Sequence, residues 1–584
     1  MCLHQCSAAF TYNMIMNAPY DGPSRHPCRH TLTHAGAQSI MSVLRGSSSL
    51  PDGQVTAETV EQLEVRQFQT LAEERSNLRW YKRPSPWWVL IAIAASALSA
   101  AIWEISVMQI WTQVVCEYRG STGGESPLSR LLEDNGEQLP CAADPEIIVA
   151  VTKLDIIYTL FRGVLGCLTT GWWTSLSDRI GRTRVLTIGV LGFLYVDLNA
   201  FIVAKAHNHL PGGYWWFVFG GLVEGLTGGI FTINATIYAY VADTVEPHRH
   251  AQVFSVFYGV LLAGFFTFRP IVSNIILGSA GGPLSGLCIA MVINSLYALL
   301  VWFALPESLT RAQRDHSRRL YQERVEEGNR EAIHSPVLHW FKRIPCFSNP
   351  LSVLWTKRGD RSLLFMALSY GSLVLFVAST SYKFEYSSAV VRWTSEQIGY
   401  WMSTVEYTRA GFLVVLLPLL IKLFKPASQL PVTSDATETT PLRQGQKTPS
   451  SLYESIAFDL TVIRVSIIIE FLSMIAIPFT SNTLLFVAFA ILGTFGSGHT
   501  PASQSVSFAL YTQSGGTESG RLFGALAALQ IFNYDLLAPA LLSLTLVTTI
   551  PTAPTVIFFV ASALVALSFI FTLYIHLPKS VQNA

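Results

Sequence analysis

The residues best placed to do chemistry are a few ionisable side chains inside long apolar segments. Glu104 and Glu224 have no charged neighbour within their segments. A charge in the core of a bilayer costs about 2.5–3.5 kcal/mol on insertion scales, so such residues usually have a function. Because removal from water favours the neutral carboxyl group, a lone carboxylate can exchange a proton. We therefore predict Glu104 and Glu224 as proton or cation sites.

Two other carboxylates are spaced to pair with an arginine. Asp155 and Arg162 are seven residues apart, which places them on one face of a helix. Glu406 and Arg409 are three residues apart and can meet on a helix surface. A carboxylate paired with arginine is more often structural, so we predict two structural ion pairs.

Arg269 and His499 also lie in apolar segments, and Asp535 lies in another. Arg269 could hold an anionic substrate or pair with a buried carboxylate, or its long side chain could reach the membrane interface. His499 could titrate near neutral pH, or it could be a hydrogen-bonded core histidine.

Composition indicates the kind of protein that positions these groups. Of the 584 residues, 50% are hydrophobic and 13% are charged, whereas soluble proteins have about 25% charged residues. The net charge of +1 gives no electrostatic reason to expect nucleic-acid binding. A membrane-spanning helix needs about 20 mostly apolar residues, and lipid cannot satisfy the backbone of other elements of this length.

Twelve segments have the required length, so we predict an all-α integral membrane protein with two six-helix pseudo-repeats. The predicted segments are 87–112, 147–175, 185–206, 214–240, 253–277, 285–305, 362–383, 397–421, 457–479, 483–508, 522–548 and 552–576.

The polar regions set the orientation and the domain organisation. Lys and Arg are concentrated in the loops after the second, fourth and eighth segments, which places both termini in the cytoplasm. Cys116 and Cys141 flank the first, non-cytoplasmic loop and could form a disulfide or remain two free thiols. The predicted regions are a largely disordered tail 1–85, a six-helix bundle 86–308, a central cytoplasmic loop 309–361, a second bundle 362–577 with a flexible cytoplasmic loop 422–456, and a tail 578–584.

Three short motifs lie at the ends of apolar segments. A cationic turn follows the second segment, an acidic residue and an arginine follow the fourth, and Leu305-Pro306-Glu307-Ser308 closes the sixth. Together with the six-plus-six arrangement they resemble the major facilitator superfamily over about residues 86–576. Thr174 stands where the family has a leading glycine. The residues that match the first two motifs are Asp178, Arg179, Gly181, Arg182, Arg184, Asp243 and Arg249.

The resemblance implies a conformational latch. Arg182 would pair with Asp243 across the cytoplasmic ends of two helices in the outward-facing state, and the missing glycine at Thr174 leaves room for a weakened latch. The alternative is that these charges only fix topology. Asp178 could accept hydrogen bonds from the amides at a helix N-terminus. Arg83-Pro84-Ser85-Pro86-Trp87-Trp88 and the loop at 520–524 are similar to fungal members and, distantly, to the proton-coupled folate transporter group.

The resemblance also implies the function. We expect a secondary active transporter of a small organic solute, proton-coupled and favouring efflux of a metabolite or toxic compound. Import of an organic anion and a non-transporting sensor are the alternatives. No HExxH, GxSxG or phosphate-loop motif is present, so we expect neither an enzyme nor an ATP-driven pump. The expected partners are the solute, a proton and the lipid bilayer, with no cofactor or metal. We expect a monomer in the plasma membrane, or else in a vacuolar or other endomembrane.

Overall fold

Apolar residues cover all faces of most helices, because one face contacts lipid, the other contacts protein, and both environments favour apolar side chains. The computed structural model describes residues 78–121, 144–267, 282–334, 351–355, 361–425, 452–480, 482–549 and 552–577. All regular structure within these ranges is helical. Ten of these helices are long and apolar enough to cross a membrane. The protein is an all-α membrane protein, as predicted.

Among the described residues of the first half we number six helical spans, and some of them consist of consecutive helical pieces. They are span 1, Pro86–Ser121; span 2, Pro145–Ile180; span 3, Arg182–Ala206; span 4, Phe217–Leu226 with Gly229–Thr244; span 5, His250–Leu262 with Ala263–Thr267; and span 6, Gly282–Leu299 with Leu300–Ala304. Spans 2 and 5 are not among the ten helices counted above. Asp144 caps span 2 by accepting a hydrogen bond from the Glu146 amide at 3.0 Å, and Pro145 begins the helix.

The second half repeats this arrangement. Its members are span 7, Ser362–Ala389; span 8, Ser395–Gly411 with Phe412–Leu416 and Leu417–Phe424; span 9, Leu452–Ala476; span 10, Thr483–Thr494 with His499–Gln513; span 11, Ser519–Ile531 with Phe532–Leu537, Pro539–Ser543 and Leu544–Thr549; and span 12, Val556–Leu573. The described helices overlap both ends of the predicted loop 422–456, since span 8 continues to Phe424 and span 9 begins at Leu452.

The fourth span of each half is broken. In span 4 the break lies at Gly228 and Gly229, with φ angles of 80° and 57° that favour glycine. In span 10 it lies between Thr494 and His499, where three successive amides bond three residues back instead of four. Interrupted helices at matching positions of two repeats often mark the binding sites of transporters.

The two halves meet closely at the end of the molecule that carries the Asp178–Arg184 turn, which we call the motif end. Spans 2 and 4 pack there against span 11, and span 5 packs against spans 8 and 10. Small residues allow this approach, as is usual between membrane helices. A Cβ on Gly259 would lie 2.9 Å from Leu413 Cβ and 3.2 Å from the Val414 nitrogen of the other half.

A helix at Arg311–His334, the linker helix, lies within the predicted central loop. It rests against the motif end. The Arg318 guanidinium donates to the Arg179 carbonyl at 3.1 Å, and Arg324 lies 2.7 Å from Glu518 at the start of span 11. The linker helix therefore contacts both halves.

Candidate functional site

Gly181 forms the sharp turn between spans 2 and 3. Its φ of 116° suits glycine, and a Cβ there would collide with the Glu307 carboxylate. Glu307 Oε1 accepts from the Arg182 amide at 2.9 Å, and Oε2 accepts from the Thr183 hydroxyl at 2.9 Å. Glu307, from the motif that closes span 6, thus caps the N-terminus of span 3, where the helix dipole favours an anion.

Arg182 is fully buried and gathers acceptors around its guanidinium. It lies 2.7 Å from Asp178 and 3.0 Å from Asp243, so the structure brings the two family motifs together. It also donates to the hydroxyls of Ser177 at 2.6 Å and Ser519 at 2.7 Å. Ser519 belongs to span 11, so the arginine joins the two halves.

Asp178 makes a second connection between the halves. Its two oxygens accept from the backbone amides of Gly520 and Arg521, each at 3.0 Å, at the N-terminus of span 11. Ser519 donates in turn to Asp243 at 2.9 Å. We call this group, Asp178, Arg182, Asp243, Ser519 and Gly520, the inter-half latch. None of its side chains has a buried polar atom that lacks a partner.

Thr174 replaces the family's glycine without separating the helices. Its hydroxyl donates to the Thr170 carbonyl at 2.9 Å and points at Gly524 of span 11. A Cβ on Gly524 would collide with that hydroxyl, and a Cβ on Gly520 would collide with Arg182. The space that lets spans 2 and 11 approach each other therefore comes from the glycines of span 11 and not from a glycine at position 174.

The other basic residues of the motifs lie outside the latch. The Arg179 guanidinium stacks 3.8 Å from the ring centre of Tyr321 in the linker helix. Arg184 and Arg249 are exposed. The charges of the turn thus divide between a buried cluster and the surface.

Arg162 pairs across the halves and not with Asp155, so the predicted pairing is corrected. Its guanidinium lies 3.0 Å from Asp535 Oδ1 in a widened helical turn of span 11. Asp155 makes no ion pair with the arginine within 4.0 Å, although it stays within reach of the arginine's charge. Asp535 is buried and comes from the facing helix.

Glu224 is buried beside the break in span 4, but it is not alone. Tyr158 of span 2 donates a hydrogen bond to Glu224 Oε2 at 2.7 Å. Glu224, Arg162 and Asp535 line one cavity of about 190 Å3, the first-half cavity, together with Gly228 and neighbouring residues. Arg162 Nε and Asp535 Oδ2 have no partner among the described residues.

Glu104 and His499 occupy different surroundings. Glu104 is half-buried on span 1, within electrostatic reach of Tyr534 in span 11. His499 is buried at the start of the second piece of span 10. Its Nδ1 lies 2.9 Å from the Gly496 carbonyl, and its Nε2 has no partner among the described residues.

A second cluster of charges lies within the second half. Glu406 and Arg409 form an ion pair of 2.8 Å, the pairing that their spacing suggested. Lys383 of span 7 and Glu470 of span 9 line the same cavity of about 390 Å3, the second-half cavity. Sequence reasoning missed both, although each is a charge in an apolar segment, which is the signal that selected Glu104 and Glu224.

Two predicted residues, Arg269 and Cys141, lie outside the described residues. Cys116 is disulfide-bonded, and its pairing with Cys141 stays a prediction. Within the described ranges, no group of three or more His, Cys, Asp and Glu residues is placed to hold a metal ion.

The sequence model of the Major Facilitator Superfamily matches residues 139–433, slightly more than half of the chain. The chain belongs to the major facilitator superfamily. It is 23% identical over 483 residues to the MFS-type transporter avaJ of Aspergillus versicolor, which covers 82% of this chain and 86% of that protein. It is 22% identical over 454 residues to an uncharacterized membrane protein of Saccharomyces cerevisiae, covering 74% of this chain and 76% of that protein.

Solved structures of the superfamily share the fold. The human organic anion transporter MFSD10 (TETRAN) aligns with a TM-score of 0.57 at 14% identity, over 84% of this chain and 99% of that chain. The proton:xylose symporter XylE, bound to 6-bromo-6-deoxy-D-glucose, aligns with a TM-score of 0.53 at 13% identity, over 83% of this chain and 94% of that chain. At these identities the likeness concerns the fold alone.

Proposed function

We propose that this superfamily member is a secondary active transporter, which moves a small organic solute by alternating access. The observation that carries the proposal is the inter-half latch. It closes the motif end with hydrogen bonds and ion pairs that water can replace when the halves separate, whereas an apolar seal would expose hydrocarbon-like surface. The two cavities lie beside the broken spans, where transporters of this architecture hold their cargo.

The predicted topology places the motif end in the cytoplasm, so the closed latch corresponds to an outward-facing state. In this cycle the halves rock, the Arg182 cluster dissociates and Asp178 leaves the amides of span 11. The cavities then open to the cytoplasm. Arg162 and Asp535 form a second tie between the halves, and it breaks in the same movement.

We propose that a proton drives the cycle through the first-half cavity. A proton on Asp535 would weaken its ion pair with Arg162, and the arginine could then pair with Glu224 of its own half. Because the Arg162–Asp535 pair joins the two halves, protonation of Asp535 and separation of the halves favour each other. Glu104, near Tyr534 on the facing helix, is a further proton candidate. His499 and Arg269 stay candidates for contact with the solute.

We propose the class of solute, the direction of transport and the target membrane from resemblance. The likeness to fungal members supports efflux of a metabolite or toxic compound across the plasma membrane. Import of an organic anion is the second candidate, because Arg162 in the first-half cavity and Lys383 and Arg409 in the second supply cationic groups. A fold neighbour is also described as an organic anion transporter.

Flux in proteoliposomes tests the transport proposal. Purified protein would be reconstituted with a pH gradient of either sign and offered a broad panel of organic solutes. We expect at least one solute to move, faster with the gradient than without it. If nothing moves, the protein is better described as a sensor that keeps the fold. Metabolite profiles of cells and medium, with and without the gene, would then give the direction.

Carboxamide variants test the proton proposal. We expect Glu224→Gln to abolish the stimulation of flux by a pH gradient while solute exchange without a gradient persists, because the amide keeps the shape but has no charge with which to receive Arg162 when Asp535 is protonated. Glu104→Gln is measured beside it. Full gradient stimulation in both variants would remove these two residues as coupling sites.

A further inference from the structure

Lys383 and Glu470 carry opposite charges, line the same cavity and do not touch. The side chains are 8% and 3% exposed, and they belong to different spans. Neither forms a hydrogen bond, nor an ion pair within 4.0 Å, with any residue that the structure describes. Two buried charges that could neutralise each other are thus held apart with space between them.

The neighbouring ion pair does not satisfy them. Arg409 and Glu406 bond each other at 2.8 Å. Each keeps one buried atom, Arg409 Nε and Glu406 Oε2, that has no partner among the described residues. With all four side chains ionised the cavity has no net charge, yet its hydrogen-bonding capacity is unfilled. Buried polar atoms are normally paired, so this lining is suited to a polar ligand.

Glu470 is held in place by the break in span 10. A Cβ on Gly493 would lie 3.3 Å from Glu470 Oε2, and a Cβ on Gly496 would collide with the glutamate side chain. The two glycines therefore let the broken span approach closely. Because the surrounding helices limit its movement, Glu470 is poorly placed to swing across the cavity to Lys383.

Charge complementarity selects the ligand. A simple anion would pair with Lys383 and leave Glu470 buried without a partner. A simple amine would pair with Glu470 and leave Lys383 buried without a partner. A zwitterion supplies a carboxylate and an ammonium group at once and keeps the cavity neutral. The rest of the lining includes Trp401, Met402 and Met474, which suit an apolar substituent.

We propose that the second-half cavity binds a small zwitterionic solute with an apolar substituent, its carboxylate on Lys383 and its ammonium group on Glu470. The inference deepens the proposed transport function and rests on it, since the bound zwitterion would be the cargo.

Equilibrium binding to the purified full-length protein in detergent tests the site without any flux. The probes are the apolar α-amino acids leucine, methionine, phenylalanine and tryptophan, each compared with its deaminated and its decarboxylated analogue. For phenylalanine these are 3-phenylpropionate and 2-phenylethylamine. We expect at least one amino acid to bind at least tenfold more tightly than either of its own analogues.

Two variants exchange the preference. In Glu470→Gln the ammonium group loses its partner, so the deaminated analogue should bind at least as tightly as the amino acid. In Lys383→Met the carboxylate loses its partner, so the decarboxylated analogue should bind at least as tightly as the amino acid. Lys422→Met and Glu454→Gln remove matched charges at exposed positions and should keep the preference for the zwitterion. If a single variant fails to fold, the double variant leaves neither charge alone and should bind the amino acid at least tenfold more weakly.

Several results would overturn the assignment. One is tighter binding of a deaminated analogue than of its amino acid to the unaltered protein. Another is an unchanged preference in both charge variants, and a third is no binding of any of the four amino acids. Binding of a zwitterion without flux in proteoliposomes would instead count against the transport proposal and leave the site standing.

Discussion

The inter-half latch and the second-half cavity are both clusters of buried charge, but they differ in how completely their groups are paired. In the latch, one arginine lies between two aspartates and Ser519, and no buried side-chain atom lacks a partner. In the cavity, Lys383 and Glu470 stay apart. A saturated cluster can hold protein to protein, whereas an unsaturated one has capacity for a ligand. The same residue types therefore serve two purposes, and the difference lies in their partners.

The first-half cavity is intermediate between the two. Arg162 and Asp535 are paired across the halves at 3.0 Å, yet each keeps an unpartnered atom. The pair thus ties the halves together and, in the proposed cycle, also responds to a proton or a solute. Four substitutions test this ordering.

We expect Arg182→Ala to have the largest effect. It leaves Asp178 and Asp243 without their cation, and breaking a buried pair costs about 3–5 kcal/mol. The free energy of unfolding should fall accordingly, and the resting population should shift toward opening at the motif end. Labelling of cysteines introduced along spans 2 and 11 measures the shift. Arg184→Ala, at an exposed position, is the control, and an unchanged labelling pattern in Arg182→Ala would contradict the latch.

Arg162→Met should cost less stability, about 2 kcal/mol, because its side chain is 27% exposed and water screens part of the interaction. Asp535 then lies buried without a cation, so we expect transport to be lost. Thermal unfolding and flux in proteoliposomes measure the two effects. Asp155→Asn should change both little, since Asp155 does not pair with Arg162. Equal losses in the two variants would restore the pairing predicted from spacing.

Gly524→Ala should destabilise the closed motif end by about 1–3 kcal/mol, because its methyl group overpacks the contact with Thr174. Thr174→Gly in the same chain should recover most of the loss, since it removes the hydroxyl and methyl that collide. The double-mutant cycle on thermal stability gives the coupling. A purely additive result would show that the two positions do not share this contact.

Lys383→Met should have the smallest effect on stability, within about 1 kcal/mol, although it also removes a buried charge. Lys383 has no ion pair within 4.0 Å among the described residues and faces the Phe376 ring at 5.6 Å. A buried charge without a counter-ion in contact is unfavourable, so its loss partly offsets the missing cation beside Glu470. The melting temperature checks this. A loss as large as that of Arg182→Ala would mean that Lys383 is as completely paired as the latch, and the contrast between the clusters would fail.

The sequence predicted the fold well, because the signals for spans and motifs are local. Apolar length predicted the spans, and the turn at Gly181 indicated the superfamily that the comparisons confirm. Pairings between distant residues were harder. Asp155 was chosen for Arg162 because it shares a helix face, whereas Asp535 lies 373 residues away. The compensation of Thr174 by Gly524 is likewise invisible until spans 2 and 11 meet. Lys383 and Glu470 could have been selected from the sequence as charged residues in apolar segments, but only the fold shows that they share a cavity.

Glu307 has a mechanical consequence. By bonding the first amide of span 3 from beyond the end of span 6, it braces two helices of the same half at the end where the halves part in the proposed cycle. This brace does not cross the dividing plane, so it need not break when the plane opens. The first half would then turn as a stiff lever. When the latch bonds at the motif end loosen, the first half would then move as one rigid body. The displacement at the motif end would be transmitted to the opposite end of this half with little bending of its helices.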